Sequence, residues 1–139
     1  MNITYENSIP VKEYNKLREL VGWGAFSEKQ AKKGLENSAY IVAAKQEEHV
    51  VGTVRVIYDG GSVAFVVDVM VAPNYQGRGI GQCMVKRLMA YLKSCLDPGD
   101  MIFVGLMAAK GKEGFYEQFG FIDRPNDSMG PGMVMWLRE

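Results

Sequence analysis

Apolar residues recur along this chain at two spacings, and the spacing predicts where helices and strands form. Helical spacing, in which apolar residues stand three or four positions apart, marks residues 11–21 and 80–94. Ser27-Glu-Lys-Gln30 fits a capping box that opens another helix, ending near Asn37. Short apolar runs bounded by polar or glycine turns instead predict strands. These runs are Ile3–Glu6, Tyr40–Ala44, Val50–Ile57, Val63–Val71 and Met101–Met107.

The last part of the chain predicts one more helix and further strands. A short helix is predicted over residues 113–119, with Gly120 as its C-terminal cap, and Phe121 onward and Met133–Leu137 supply final strand material. The predicted order is β-α-α-β-β-β-α-β-α-β-β. Hairpins come first and a crossover helix later, so we expect a mixed α/β fold, with a mostly antiparallel central sheet flanked by about four helices. A chain of 139 residues predicts one domain, 1–139.

Composition excludes several classes of partner. Sixteen basic and sixteen acidic residues cancel, which gives no electrostatic case for nucleic acid or an anionic membrane. No apolar run approaches the roughly 18 residues that span a bilayer, and the first residues lack the pattern of a signal peptide. Cys83 and Cys95 lack metal-ligand spacing and lie too far apart on one predicted helix to form a disulfide. We therefore expect a cytoplasmic protein without a metal.

Three glycines at alternate positions stand between a predicted strand and the predicted helix that begins near residue 80. Glycines 77, 79 and 81 let the main chain wrap closely around an anion, and the helix N-terminus favours negative charge. A merely tight turn would need only one glycine. The loop matches no P-loop pattern, and Gln82 stands where the dinucleotide pattern would need a further glycine. The loop therefore predicts a phosphate site of another kind.

Two motifs resemble those of the GCN5-related N-acetyltransferase superfamily. Gln76-Gly-Arg-Gly79-Ile-Gly81 is similar to the family's pyrophosphate-binding signature, and Val71-Ala-Pro73 is similar to its usual lead-in. Gly114-Phe-Tyr116-Glu-Gln-Phe-Gly120-Phe121 resembles the second landmark of the family. The resemblance runs from about Tyr40 to Phe121. It implies the acyl-coenzyme A N-acyltransferase fold and acetyl-coenzyme A (acetyl-CoA) as co-substrate.

The resemblance also implies which residues hold acetyl-CoA. In this family the pantetheine arm pairs like an extra strand with the fourth strand, and backbone N–H near Met70 or Val71 would face the acetyl oxygen. The glycine loop would hold the pyrophosphate, with Arg78 adding charge, although a solvated loop arginine would look the same. The expected acetyl-CoA-binding residues are Val69, Met70, Val71, Gln76, Gly77, Arg78, Gly79, Ile80, Gly81, Gln82 and Tyr116.

Direct transfer of the acetyl group, which the resemblance implies, needs a proton donor and a proton acceptor. Tyr116 is the candidate donor to the leaving thiolate, because a tyrosine of pKa near 10 stays protonated at neutral pH; the alternative is a half-buried packing tyrosine. Asp68 is the candidate base for the amine, because a carboxylate inside the run AFVVDVMV is otherwise odd. Equally, Asp68 would be a structural carboxylate bonded to backbone. His49 lies in a polar turn and is expected to be a solvated residue.

The acceptor is expected to be a small-molecule primary amine with an apolar or aromatic body. In the family the segment between the first two helices walls the acceptor pocket; here it carries Trp23 and Phe26 beside two glycines, and its Val-Gly-Trp resembles arylalkylamine-type acetyltransferases. Trp23 would otherwise cap the core. Three other functions stay open: acetylation of a protein amine, a non-catalytic acyl-CoA sensor, and a nucleotide-phosphate binder. A homodimer is compatible with the sequence.

Overall fold

The structure is a computed structural model that describes residues 2–139. Within these residues it contains five strands and four α-helices, with a 3-10 turn at Pro73–Tyr75. In chain order they are β1 Ile3–Glu6, α1 Val11–Leu20, α2 Glu28–Glu36, β2 Tyr40–Gln46, β3 His49–Tyr58, β4 Val63–Val71, α3 Ile80–Ser94, β5 Phe103–Leu106 and α4 Glu113–Glu117. The chain divides into two compact units, one ending at Leu106 and the other running over Met107–Glu139.

The first unit is built on a five-stranded sheet in the order β1-β2-β3-β4-β5. Neighbouring strands are antiparallel except β4 and β5, which are parallel because α3 crosses between them. The β4–β5 pairing runs from Val63↔Phe103 to Val66↔Leu106 and stops there, although β4 continues to Val71. The mixed, mostly antiparallel sheet confirms the predicted fold class.

Two apolar clusters cover the two faces of this sheet. On one face α3 buries Met84, Val85 and Leu88 completely, in keeping with its predicted helical spacing. On the other face α1 and α2 contribute a second cluster that contains Tyr14 and Leu17. The start of α2 also agrees with the predicted capping box, since the Ser27 hydroxyl accepts a hydrogen bond of 3.1 Å from the backbone N–H of Gln30.

A β-bulge in β4 changes which face its side chains cover. Pairing with β3 shifts between Thr53 and Arg55, and Asp68 adopts a positive φ of 58°. Before the bulge, Val66 packs in the α3 cluster, and simple alternation would place residue 70 on the same face. Met70 instead packs in the α1–α2 cluster. The extra residue therefore reverses the two faces of β4 just before the strand ends.

The predicted strands after α4 do not form. Within residues 118–139 the structure contains no strand, so the expectation of strand material from Phe121 onward and at Met133–Leu137 was wrong. An apolar composition favours a strand only where another strand supplies hydrogen bonds. Here the Met133 and Leu137 side chains are both 87% exposed. The prolines and glycines that precede this segment also disfavour regular pairing.

Candidate active site

The glycine loop has the conformation that a close anion would need. Gly77 and Gly79 adopt φ values of 76° and 82°, which side chains rarely tolerate, and no atom lies within 4 Å of the position where either would carry a Cβ. Gly79 is the N-cap of α3, whose first intrahelical bond joins the Cys83 N–H to the Gly79 carbonyl. The backbone N–H groups of Ile80 and Gly81 precede that bond and are suited to an anion.

Side chains of the loop fix its shape. The Gln76 side-chain amide donates a 3.0 Å hydrogen bond to the Val71 carbonyl and so closes the loop onto the end of β4. The Tyr75 hydroxyl is hydrogen-bonded to the Gln46 side chain, and the Arg78 guanidinium lies 5.5 Å from the centre of the Tyr75 ring. The side chain of Gln76, expected to bind acetyl-CoA, is therefore engaged in building the loop.

The end of β4 offers an open backbone edge next to this loop. Within residues 2–139, no strand pairs with the β5 side of β4 beyond Val66. The Ala72 N–H donates to the Val51 carbonyl of β3, and because backbone groups alternate along a strand, those of Val71 point away from β3. The Gln76 bond to the Val71 carbonyl agrees with this direction. An extended pantetheine arm fits such an edge, as the resemblance requires.

The side chains of this edge are packed while its backbone is open. Met70 is buried in the α1–α2 cluster, Ile80 is buried in the α3 cluster, and Val69 and Val71 pack against the α3 cluster. Gly77 and Gly79 leave space where acetyl-CoA phosphates would lie. The described residues therefore fit acetyl-CoA through backbone groups more than through side chains. Gln82 is on the first turn of α3, beside the loop.

Asp68 lies at the centre of a charged network beneath the bulge. Its Oδ2 accepts hydrogen bonds of 2.6 Å from the Tyr14 hydroxyl and from the Arg55 Nε, and its Oδ1 lies 3.6 Å from the Arg18 Nη1. Burial, and then the hydrogen bond to Asp68, raise the pKa of Tyr14 above its ordinary value near 10, so the phenol remains a donor. Loss of the negative charge of Asp68 would weaken its ion pairs with Arg18 and Arg55, which favours a structural role for the carboxylate. These partners are side chains, whereas the structural alternative expected bonds to backbone.

Arg18 and Arg55 are the site residues that the sequence reading missed. Arg55 also donates through Nη1 to the Gly34 carbonyl and to the Ser38 hydroxyl, both at 3.2 Å, and so joins β3 to the end of α2. Its signal was present in the sequence, because an arginine within an apolar strand needs a buried acid, and Asp68 occupies the neighbouring strand. Arg18 gave no such signal, since charged residues are ordinary on an amphipathic helix.

Trp23 and Phe26 lie on the loop between α1 and α2, as predicted. Their side chains are 48% and 37% exposed, so neither belongs to the core. Gly22 and Gly24 adopt positive φ values, and no atom lies within 4 Å of a Cβ built on either. The Arg18 guanidinium lies 3.9 Å from the centre of the Phe26 ring. The loop thus presents two aromatic side chains and is connected through Arg18 to Asp68.

Tyr116 lies in the second unit, on α4. It is buried, and the burial raises its pKa above the ordinary value near 10. Its ring makes edge contacts with Phe115 and Phe121, whose centres lie 5.0 and 6.1 Å away. The first unit brings together the glycine loop, the open edge of β4, Asp68 and the aromatic loop; the role of Tyr116 stays a prediction of the resemblance.

The remaining candidate residues, one histidine and two cysteines, form no metal site in the described part of the chain. His49 is exposed at the start of β3, as expected for a solvated turn residue. Cys83 and Cys95 are both free thiols. Residues 2–139 contain no cluster of three or more His, Cys, Asp or Glu that could hold a metal ion, and no helix among them is long and apolar enough to cross a membrane.

Comparison with known proteins identifies the family. Residues 36–123 match the model of the acetyltransferase (GNAT) domain. A probable acetyltransferase of meticillin-resistant Staphylococcus aureus, solved by crystallography, superposes with a TM-score of 0.86 at 29% identity, over 98% of this chain and 100% of that one. The uncharacterized N-acetyltransferase ycf52 of Pyropia yezoensis is 28% identical over 92% of this chain and 74% of its own length.

A plant relative has a named acceptor. Serotonin N-acetyltransferase 2 of Oryza sativa subsp. japonica is 29% identical to this chain over 88% of its length, and the match covers 61% of the plant protein. The matched domain includes the glycine loop, the end of β4 and α4. The chain therefore belongs to the GNAT family and is an acetyl-CoA-dependent N-acetyltransferase.

Proposed function

We propose that the protein acetylates the primary amine of a small molecule that has an apolar or aromatic body. The observation that carries the proposal is the α1–α2 loop, which exposes Trp23 and Phe26 and is linked to β4 through Arg18. Two exposed aromatic rings suit an aromatic or aliphatic acceptor. The rice relative named for serotonin, an arylalkylamine, supports this class.

The acetyl group would be held and polarised by β4. Acetyl-CoA would supply the activated acetyl group along the open edge of the strand. The Val71 N–H points to that edge, so we assign it, in place of Met70, as the donor to the acetyl oxygen. The N–H groups at the start of α3 would bind the pyrophosphate, and the positive φ of Gly79 allows the backbone to approach it.

Proton transfer would use Tyr116 and solvent. A buried Tyr116 with a raised pKa stays protonated at neutral pH and would donate to the departing thiolate. We assign Asp68 a positioning role, because Arg18, Arg55 and Tyr14 already engage its oxygens. The acceptor amine would then lose its proton to water and not to this carboxylate.

The test is a screen of amines with acetyl-CoA that measures release of free thiol. The set should hold tryptamine and phenethylamine, spermidine as a non-aromatic amine, and a lysine-containing peptide. We expect the two arylalkylamines to have the highest kcat/KM. Preference for the peptide would instead show a protein acetyltransferase, and tight acetyl-CoA binding without thiol release from any amine would show a sensor.

A further inference from the structure

Two side chains of α1 hold the acceptor loop, which we define as residues 21–27. Asn15 bonds the backbone of Phe26 in both directions, as donor to its carbonyl and as acceptor from its N–H, each at 3.1 Å. Arg18 donates from Nε to the Gly24 carbonyl at 2.8 Å and from Nη2 to the Trp23 carbonyl at 3.4 Å. These hydrogen bonds fix the backbone of Trp23, Gly24 and Phe26, and so position the two aromatic side chains of the loop.

Arg18 also reaches the sheet. Its third nitrogen, Nη1, lies 3.6 Å from Asp68 Oδ1, and both side chains are nearly buried, at 12% and 11% exposure. One planar guanidinium therefore contacts the loop backbone along one edge, Asp68 along another, and Phe26 through its face. A lysine has neither the planar face nor the fork of donors that makes these contacts together.

The carboxylate that Arg18 contacts belongs to Asp68, the bulged residue at which the two faces of β4 are exchanged. Asp68 is the bulged residue of positive φ, and Val71, whose N–H we assign to the acetyl oxygen, follows three residues later. Arg18 consequently contacts both the loop that would hold the acceptor and the strand that would hold the thioester. Reaction rates depend steeply on that separation, since a misplacement of about 1 Å costs about 10²-fold.

We propose that Arg18 is a positioning residue for acetyl transfer, which ties the acceptor loop to Asp68 and so fixes the acceptor amine relative to the thioester. The inference rests on the proposed function and deepens it. It assigns Arg18 no contact with the reacting atoms. Its effect should fall on the acceptor side of the reaction and leave acetyl-CoA binding intact.

The charges of the network make a matched pair of variants available. Asp68 is paired with two arginines, so Arg18→Met and Arg55→Met each remove one positive charge and leave the carboxylate one arginine and the Tyr14 hydroxyl. Arg55 instead contacts the Gly34 carbonyl and the Ser38 hydroxyl, both of which lie outside the acceptor loop. Arg55→Met therefore controls for loss of charge and of a buried contact at the same carboxylate.

The experiment measures steady-state kinetics with tryptamine and acetyl-CoA for both variants and for Arg18→Lys. Arg18→Met should lower kcat/KM for tryptamine by about 10- to 100-fold while the acetyl-CoA Kd changes less than about twofold. Arg55→Met should lower the melting temperature with a smaller effect on tryptamine, and Arg18→Lys should not restore the wild-type rate. Wild-type kinetics in Arg18→Met, an equal loss in Arg55→Met, or full rescue by lysine would each overturn the proposal.

A second readout is independent of turnover. Trp23 and Trp136 are the two tryptophans of the chain, so a Trp136→Phe background makes Trp23 the sole fluorophore. Acrylamide should quench Trp23 more strongly after Arg18→Met than after Arg55→Met, and equal quenching would contradict the linkage. If the wild-type protein acetylates no amine while quenching still depends on Arg18, the proposed function fails and the linkage of the loop stands.

Discussion

At the scale of single residues, a substitution at Gly79 tests whether this glycine leaves room for a phosphate or only allows a strained backbone conformation. We predict that Gly79→Ala weakens acetyl-CoA binding at least about tenfold, which is about 1.4 kcal/mol, because a methyl group would enter the space left for phosphate. Gly60 is a matched control: it also has a φ of 82° and no atom within 4 Å of a Cβ, but it lies in the β3–β4 turn. Calorimetry should show lower affinity for Gly79→Ala only. Equal affinity in the two folded variants would refute the phosphate role.

Tyr116 is tested by removing its hydroxyl alone. Tyr116→Phe should lower kcat by about 10²–10⁴-fold if the hydroxyl protonates the thiolate, and acetyl-CoA affinity should barely change. Because burial raises the pKa of Tyr116, its acidic form persists as pH rises, so the wild-type kcat should not fall on the alkaline side until pH exceeds about 10. Phe115→Leu, a change to its packing neighbour, is the control for stability. A normal kcat in the phenylalanine variant, with chemistry rate-limiting, would exclude Tyr116 from the mechanism.

Asp68→Asn distinguishes the two roles considered for this carboxylate, general base and positioning residue. Asp68→Asn should lower kcat/KM for the acceptor and the melting temperature together, since Arg18 and Arg55 would both lose their anionic partner. The acidic limb of the pH–rate profile should keep its position, because the carboxylate is assigned no proton transfer. A profile whose acidic limb disappears in the asparagine variant would make Asp68 the general base after all.

At the scale of elements, the packing of β3, β4 and α3 depends on one glycine. A Cβ at Gly52 would lie 3.0 Å from the Met70 carbonyl oxygen and 3.0 Å from the Met84 methyl group. We predict that Gly52→Ala destabilises the fold by about 1–3 kcal/mol, because the backbone oxygen cannot move aside freely. Gly34→Ala is the comparison, since the nearest atom to its Cβ would be in the Arg55 side chain, at 3.8 Å. Equal stability of the two variants in urea denaturation would contradict the predicted steric clash at Gly52.

Hydrophobic periodicity predicted most of the helices and strands, because each of them buries one apolar face. The bounds of β1, β4 and α3 agree with the sequence, since apolar spacing and the glycine turns beside them determine where those elements begin and end. The bulge was not predictable, because a single αL residue leaves the apolar run AFVVDVMV unchanged. Asp68 was recognised as unusual, yet its partners Tyr14, Arg18 and Arg55 come from two other elements, α1 and β3, and local sequence patterns could not predict them.

At the scale of the whole molecule, the sequence indicated the chemistry better than it indicated the C-terminal structure. The two motifs identified the family because they combine backbone requirements with fixed element order. The strand expected at Met133–Leu137 failed because strand formation needs a partner, which composition does not reveal. Neither motif determines which amine is the acceptor, and its proposed class depends on the exposure of the Trp23 and Phe26 side chains.

The protein is proposed to transfer acetyl from acetyl-CoA to a small-molecule primary amine with an apolar or aromatic body, and arylalkylamines are its expected best acceptors. The most direct measurement incubates the protein with acetyl-CoA and tryptamine and quantifies, in the same sample, N-acetyltryptamine by mass spectrometry and free coenzyme A thiol. We expect equal amounts of both products, formed over many turnovers, and none of the acetylated amine without protein. Thiol release without acetylated tryptamine, or no release from any arylalkylamine, would contradict it.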